Sequence, residues 1–199
     1  MTSLQTELAL THKELREHIW SKWNRVLPFS EEIPGDRARW DKARFLGFGE
    51  GASIYESSYV YGDVKVGRKT WVGPFTILDG SGGLEIGEYC SISSGVQIYS
   101  HETVDWALSG GIAEYRLAKT RVGNCCFIGS LTVIRMGVTI GEHVLIGAHS
   151  LVNDNIPDNS IAIGCPARII GRVLVRDGKV ELKYDRKARP AERQRKRRS

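Results

Sequence analysis

The sequence predicts an all-β protein in which short strands wind into a coil. Between Arg121 and Pro157 a branched aliphatic residue recurs at every sixth position: Val122, Ile128, Ile134, Ile140, Ile146 and Val152. A small or branched residue follows four positions after each of them: Cys126, Thr132, Val138, Val144, Ser150 and Ile156. Six is a multiple of the strand period of two, whereas on a helix steps of six would scatter the aliphatics over three faces. One such repeat cannot bury its own apolar face, so we expect successive repeats to stack.

A glycine follows four of these aliphatics, at Gly123, Gly129, Gly141 and Gly147. Glycine at a fixed place in a strand repeat indicates a bend where a side chain is unwelcome or where φ is positive. The repeat therefore predicts a short strand, a bend and another short strand, without interruption.

At these residues the sequence resembles the hexapeptide-repeat acyltransferases, and among them the sugar O-acetyltransferases. The resemblance extends over about residues 45–175. It implies a left-handed parallel β-helix in which three hexapeptides form one triangular coil. It also implies acetyl-CoA as the co-substrate, a sugar or nucleotide-sugar acceptor, and a homotrimer with active sites between subunits.

Length and composition indicate a single domain with short appendages. The sequence contains no apolar run of membrane length, and Glu7, His12 and Lys13 interrupt the aliphatics near the N-terminus. We therefore expect a cytoplasmic protein without stable membrane insertion. Two of the four cysteines, Cys90 and Cys126, fall on the small inward position of the repeat, which predicts reduced core residues.

The net charge of +5 is concentrated at one end of the sequence. Residues 186–199 contain eight basic residues and one acid, a local charge of +7, which leaves −2 for the rest of the chain. Such a run predicts a solvated, disordered tail, and electrostatic binding to nucleic acid or anionic lipid is the alternative. Because no aromatic residue accompanies the run, we expect no nucleic-acid partner.

The repeats and their interruptions predict the domain organisation. Residues 1–50 form an N-terminal helix and connection, 51–172 the β-helix with an excursion loop over 105–119, 173–185 a C-terminal hairpin, and 186–199 the tail. The helix is amphipathic over 4–27, and its apolar stripe consists of Leu4, Leu8, Leu15, Ile19, Trp23 and Leu27.

Two further segments shape the predicted coil. The dipeptide Asp177-Gly178 within alternating residues is typical of a type I′ turn, so the hairpin is expected to cap the coil. In the segment D-G-S-G-G-L-E, residues 79–85, the repeat register slips by two residues, which we interpret as a widened corner.

The repeat fails at His101 and Glu102. Glu102 falls on a position that points inward in other repeats, and an ionised carboxylate is not buried there without a partner. The chain must therefore leave the coil, which places His101 on an exposed corner under the loop. An imidazole that titrates near neutrality suits a general base, and the resemblance implies the same role. Glu102 or Asp105 is expected to orient the imidazole.

The remaining site residues are implied by the resemblance or by their place in the loop. The expected contacts to the acetyl donor are Phe127, Gly129, Ser130, Gly147, Ala148 and Arg168. Two departures from the family pattern, Pro74 and the pair Asn153-Asp154, change the acceptor pocket and one donor contact. The acceptor is therefore expected to contact Asp79, Glu102, Asp105, Trp106 and Tyr115.

Three other functions are compatible with the sequence. Gamma-class carbonic anhydrases share this β-helix and bind zinc through three histidines, but His143 and His149 fall on different sides of the triangle, so we expect no metal. N-acetylation of a nucleotide-linked amino sugar would need the same donor groove. A catalytically silent β-helix would act as a scaffold or binding module. The main hypothesis is transfer of acetyl from acetyl-CoA to a sugar hydroxyl in cell-surface polysaccharide metabolism.

Overall fold

The computed structural model describes residues 38–185 together with Leu4, Glu7 and Thr11. Helix α1 spans Ala38–Phe45 and α2 spans Val104–Leu108. Strands β1 to β9 span Ser53–Ile54, Tyr59–Val66, Trp71–Val72, Ile77–Ile86, Ser91–Ile92, Gln97–Ile98, His101–Glu102, Arg116–Leu117 and Thr120–Val122. Strands β10 to β17 span Phe127–Ile128, Val133–Ile134, Thr139–Ile140, Leu145–Ile146, Leu151–Val152, Ser160–Ile163, Arg168–Arg176 and Lys179–Tyr184.

The short strands stack in parallel, each on a strand from the neighbouring coil. Phe127 pairs with Leu145, for example, three hexapeptides further along the chain. Face one consists of β1, β3, β5, β10, β13 and β15. Face two consists of β6, β11 and β14 with the first halves of β2 and β4, and face three of β9 and β12 with their second halves. The predicted fold class, a β-helix of hexapeptide repeats, is confirmed.

The interior of the coil contains the residues that the six-residue period selects. The six aliphatics from Val122 to Val152 are at most 3 % exposed, and the positions four residues later are also buried. Burying one such side chain fully contributes roughly 1.5–3 kcal/mol. Buried Val and Ile side chains that stack from coil to coil therefore hold the coils together.

At the corners, close approach of the next coil and positive φ occur at different positions. At Gly129 a side chain is unwelcome, because a Cβ would lie 2.4 Å from the backbone nitrogen of Ala148, but φ there is not positive. Positive φ instead occurs two residues later, where most of the residues are not glycine: Lys69, Phe75, Tyr89, Cys125, Leu131, His143 and His149. Close approach of the next coil explains the glycines, and the left-handed bend falls elsewhere.

The interpretation of residues 79–85 as a widened corner agrees with the structure. Strand β4 continues around this corner, with Ile77 and Leu78 on face two and Leu84 to Ile86 on face three, and Gly83 has a φ of 93°. It pairs in parallel with β2, so long strands bridge one edge of the first coils. The pairing shifts register between Gly62 and Val64. A Cβ on Gly62 would lie 2.5 Å from the carbonyl oxygen of Gly80, so glycine allows the two strands to approach. We call this edge, between faces two and three, the wide edge.

The two ends of the coil are built differently. Helix α1 places Ala43 in the core beside the first coil. At the other end β15, β16 and β17 form antiparallel pairs, and Asp177 and Gly178 both have the positive φ that a type I′ turn requires. In the described part of the chain, no helix has the length and apolarity needed to span a bilayer.

Two predicted segments lie outside the described residues. Of the helix predicted over 4–27, only Leu4, Glu7 and Thr11 are described; all three are helical, and Leu4 is exposed. The predicted tail over 186–199 lies wholly outside them.

Candidate active site

The wide edge brings His101 into contact with Asp79. Asp79 lies in β4, and His101 begins β7 one coil later, where the chain leaves the prism. The imidazole Nδ1 lies 2.5 Å from the carboxylate Oδ2 of Asp79. The Asp79 side chain is only 1 % exposed, whereas that of His101 is 36 % exposed. One ring nitrogen is therefore held by a buried carboxylate while the ring stays accessible.

Hydrogen bonds keep the Asp79 carboxylate ionised. Its Oδ1 accepts from the backbone nitrogen of Ser81 at 2.9 Å and from the Ser81 hydroxyl at 2.6 Å. Its Oδ2 accepts from the backbone nitrogen of Ser100 at 2.9 Å. Burial alone would raise the pKa of Asp79, but these hydrogen bonds together with the one from His101 outweigh it and lower the pKa to about 2.

This arrangement selects one tautomer of His101. An ionised carboxylate only accepts hydrogen bonds, so Nδ1 must carry its proton toward Asp79. In the neutral imidazole the other nitrogen, Nε2, then has a free lone pair, which is the state that a general base needs. The prediction that Glu102 or Asp105 orients the imidazole is wrong, because Asp79 does so. The prediction that Asp79 contacts the acceptor is also wrong, since its carboxylate is buried and fully engaged.

Glu102 belongs to a separate ionic cluster. Its Oε2 accepts from Nη2 of Arg135 at 2.9 Å and from Nε at 3.2 Å, and its Oε1 pairs with Arg116. Arg116 also pairs with Asp105, at 2.9 Å between Nε and Oδ2. The hydrogen bond from Arg135 is the main cause that lowers the pKa of Glu102. We call Glu102, Asp105, Arg116 and Arg135 the excursion clamp, because they join the loop to the next coil.

The loop between His101 and Lys119 projects from the coil. It starts and ends in the antiparallel pair β7–β8, in which His101 lies opposite Leu117, and α2 between them has no buried residue. The rings of Trp106 and Tyr115 pack edge to face, with centroids 5.7 Å apart. Asp105, Trp106 and Tyr115, which are all expected to contact the acceptor, thus lie exposed on the same loop.

The expected donor contacts lie on another edge of the prism. Gly129, Ser130, Gly147 and Ala148 follow β10 and β13 at the corner between faces one and two, which we call the donor edge. They stack in consecutive coils, since the backbone nitrogen of His149 donates to the carbonyl of Ser130 at 2.9 Å. Within one chain, the donor edge and His101 lie on different corners.

The other two expected donor residues are separated from this edge. Phe127 points outward from face one, half exposed, in a groove of about 310 Å³ that the C-terminal hairpin covers. Arg168 begins β16 and lies 3.7 Å from Asp154. Neither residue approaches His101 in the monomer.

Sequence reasoning missed several residues around His101. Ser81 and Ser100 fix Asp79, while Arg116 and Arg135 fix Glu102. One signal was available, because the residues that follow the face-two aliphatics form an outward column: Tyr61, Asp79, Tyr99, Arg135 and Asn153. Reading that column across the coils would have placed Asp79 beside the start of the loop.

No group of three or more His, Cys, Asp or Glu side chains among the described residues could hold a metal ion. His143 lies at the corner after face three, and His149 lies on the donor edge. All four cysteines are free, with Cys90 and Cys126 buried.

Residues 119–154 match the family model described as bacterial transferase hexapeptide (six repeats). Over these residues the chain carries the hexapeptide repeats of that family. Over 56 residues this hexapeptide-repeat protein is 48 % identical to the galactoside O-acetyltransferase of Escherichia coli (strain K12). The aligned residues make up 28 % of each chain. It spans less than half the length of the curated relatives that it matches.

Solved structures confirm the fold of this hexapeptide-repeat protein. A hexapeptide-repeat containing acetyltransferase of Vibrio cholerae O1 biovar eltor, complexed with acetyl coenzyme A, has a TM-score of 0.61 at 23 % identity, over 80 % of this chain and 87 % of that one. AntD, an N-acyltransferase from Bacillus cereus in complex with dTDP and 3-hydroxybutyryl-CoA, has a TM-score of 0.55 at 21 % identity. That match covers 67 % of this chain and 87 % of AntD.

Proposed function

We propose that this protein transfers an acetyl group from acetyl-CoA to a sugar hydroxyl in cell-surface polysaccharide metabolism, with His101 as the general base. The observation that supports this most strongly is the 2.5 Å contact between His101 and the buried Asp79. The names of its relatives, among them a galactoside O-acetyltransferase, agree with this reaction class.

The proposed reaction begins with the acceptor hydroxyl donating a hydrogen bond to Nε2 of His101. The imidazole takes this proton while the hydroxyl oxygen attacks the thioester carbonyl carbon. The ionised Asp79 stabilises the resulting imidazolium, and backbone N–H groups stabilise the oxyanion. The tetrahedral intermediate then collapses, the carbon–sulfur bond breaks, and the CoA thiolate leaves while the imidazolium returns its proton.

The active site is proposed to lie between subunits of a homotrimer. The donor edge, with Gly129 and Ala148, and the wide edge, with His101, are different corners of one prism. A thioester on the donor edge of one copy could reach the His101 of another copy, since a cyclic arrangement brings unlike surfaces together. Phe127 and Arg168 are proposed to contact the acetyl donor where it lies between the two subunits.

Acceptor binding is proposed to involve aromatic side chains near His101. Tyr59 and Tyr61 are stacked, with centroids 6.2 Å apart, and both are at least half exposed. Tyr61 pairs in register with Asp79, so this stack lies one strand from the residue that orients the base. Aromatic faces with a few polar groups are typical of small-ligand sites. Trp106 and Tyr115 of the loop are proposed to complete the pocket.

A second candidate is N-acylation of a nucleotide-linked amino sugar. It is favoured by the likeness of the fold to AntD, an N-acyltransferase solved with dTDP. The same base and donor edge would serve an amine acceptor, so the acceptor alone separates the two candidates.

Thiol release from acetyl-CoA tests the proposal, with sugars, polysaccharide fragments and nucleotide-linked amino sugars as acceptors. We expect release with a hydroxyl acceptor that falls at least about a hundredfold in His101→Ala, the lower range for loss of a general base. Arg68→Ala is the control, because Arg68 lies exposed at the corner between faces three and one in the first coil, away from the wide edge and the donor edge, and it should retain activity.

The other outcomes contradict the proposal in distinct ways. Release only with amines would select the second candidate. Absence of release together with absence of acetyl-CoA binding would indicate a silent scaffold. A monomeric mass in solution would contradict the site between subunits, whatever the activity.

A further inference from the structure

The C-terminal hairpin, β16 and β17, has two unlike faces. Successive residues of a strand point to opposite sides. The apolar side lines the groove at Phe127 with Val173, Val175, Val180 and Leu182. The opposite side, which we call the basic face, consists of Arg172, Leu174, Arg176, Lys179, Glu181 and Lys183.

Cations lie directly opposite one another on the basic face. Arg172 pairs in register with Lys183, and Arg176 pairs with Lys179. Like charges at directly opposed positions destabilise an antiparallel pair. Lys183 lies 3.8 Å from Glu181, but Arg172, Arg176 and Lys179 form no ion pair with any residue in the described part of the chain. An anionic ligand would remove this repulsion.

The positive charge continues beyond the hairpin. Strand β17 ends at Tyr184, and the sequence over 186–199 adds eight basic residues and one acid. The rest of the chain has a net charge of −2 even with the hairpin included. The positive charge of the sequence is therefore concentrated toward its C-terminal part.

We propose that the basic face binds the surface of an anionic phospholipid bilayer. Anionic lipid headgroups attract clusters of Lys and Arg, and each such residue near the surface strengthens binding by about fivefold. Leu174 lies between the two arginines on this face, so an apolar side chain accompanies the cations. Segments that lie at a membrane interface combine Lys and Arg with apolar side chains.

The same residues argue against a single-stranded nucleic acid as the partner. Binding of single strands combines a basic groove with aromatic side chains on which bases stack. Neither the basic face nor residues 186–199 contain an aromatic residue, and Tyr184 lies on the apolar side. The inference does not depend on the proposed acetyl transfer.

Co-sedimentation of the full chain with lipid vesicles tests the inference. We expect binding to vesicles of phosphatidylcholine with a quarter phosphatidylserine, and none to phosphatidylcholine alone. The double variant Arg172→Gln with Arg176→Gln should weaken binding by about fivefold per neutralised cation, so about 25-fold in all. Circular dichroism of the variant checks that the coil is intact.

A matched variant controls for net charge. Lys65→Gln with Arg68→Gln removes two exposed cations from the first coil, far along the solenoid from the hairpin, and should leave binding within about twofold, because headgroup attraction falls off within a Debye length. Equal loss in both double variants would overturn the basic face as the site. Equal binding to neutral vesicles, or tighter binding to single-stranded RNA at the same salt concentration, would overturn the lipid surface as its partner.

Discussion

The regular coils from Val122 to Ile156 differ from the wide edge in strand length, in the shape of the corner and in the side chains that are buried. In the regular coils each strand is two or three residues long, each corner is tight, and the interior is aliphatic or small. At the wide edge the ten-residue strand β4 turns from face two to face three, and the outward-pointing carboxylate of Asp79 is nonetheless buried there. The regular coils provide a stiff frame, and the interruption holds the residues of the proposed active site.

The difference shows how a repeat protein can bury charge. Asp79 is stabilised by Ser81, Ser100 and His101, and Glu102 by two arginines, so neither carboxylate is left without a partner. A regular corner has no room for such groups, since a Cβ on Gly129 would already clash with the next coil. The wide corner in β4 leaves room for polar side chains where a tight corner would have placed backbone.

The largest expected effect concerns the frame. Ile134 is fully buried, and Ile134→Ala should lower the free energy of unfolding by about 2–5 kcal/mol through lost burial and the cavity left behind. Urea denaturation measures the change. Val133→Ala is the control in the same strand, because its side chain points outward, and it should cost less than about 1 kcal/mol. Equal losses would contradict the assignment of inward and outward positions.

The next effect concerns the chemistry of the wide edge. In Asp79→Asn the amide can donate a hydrogen bond to Nδ1 of His101, which would move the ring proton to Nε2 and block the base. We expect the turnover number to fall about a hundredfold, the lower range for loss of a general base. The Michaelis constant for acetyl-CoA should stay unchanged, since Asp79 lies away from the donor edge. Steady-state kinetics of thiol release provide both values.

Glu102→Gln is the matched control for that experiment. It removes a carboxylate from the residue next to His101, but that carboxylate binds Arg116 and Arg135 and not the imidazole. We expect a loss below about tenfold, less than that for a missing base. A loss as large as that of Asp79→Asn would return Glu102 to the role that the sequence first suggested.

The sequence predicted the frame well because the frame is local. Each buried aliphatic, such as Ile128 or Ile146, is specified by its own hexapeptide, so the six-residue period alone identified the core. The partner of His101 could not be read in the same way. Asp79 is 22 residues away, in an outward column that looks solvent-exposed, and its contact depends on a register shift in a glycine-rich segment. The register slip predicted the wide corner, but it did not show which side chains of neighbouring coils meet there.

The ionisation of Asp79 gives a third, smaller effect. Its pKa is lowered to about 2 from an ordinary 3.8, so the folded state gains stability above pH about 4 and loses it as the pH falls toward about 2. The shift corresponds to roughly 2 kcal/mol at neutral pH. Urea denaturation at a series of pH values, with Asp79→Asn alongside, measures it. The stability difference between the two proteins should shrink across this window, and parallel profiles would contradict the hydrogen-bond network at Asp79.

The smallest effect concerns the corners, where close approach of the next coil explains the glycines and the left-handed φ falls two residues later. Phe75 is exposed and has φ of 58°, a conformation that costs an ordinary residue about 1–2 kcal/mol and glycine almost nothing. Phe75→Gly should therefore be more stable than Phe75→Ala by about 0.5–1 kcal/mol, since the strain relieved exceeds the extra freedom that glycine has when unfolded. Urea denaturation of the two variants measures the order. In a regular strand an alanine variant is more stable than a glycine variant. If Phe75→Ala proved more stable than Phe75→Gly, the result would contradict a left-handed conformation at this corner.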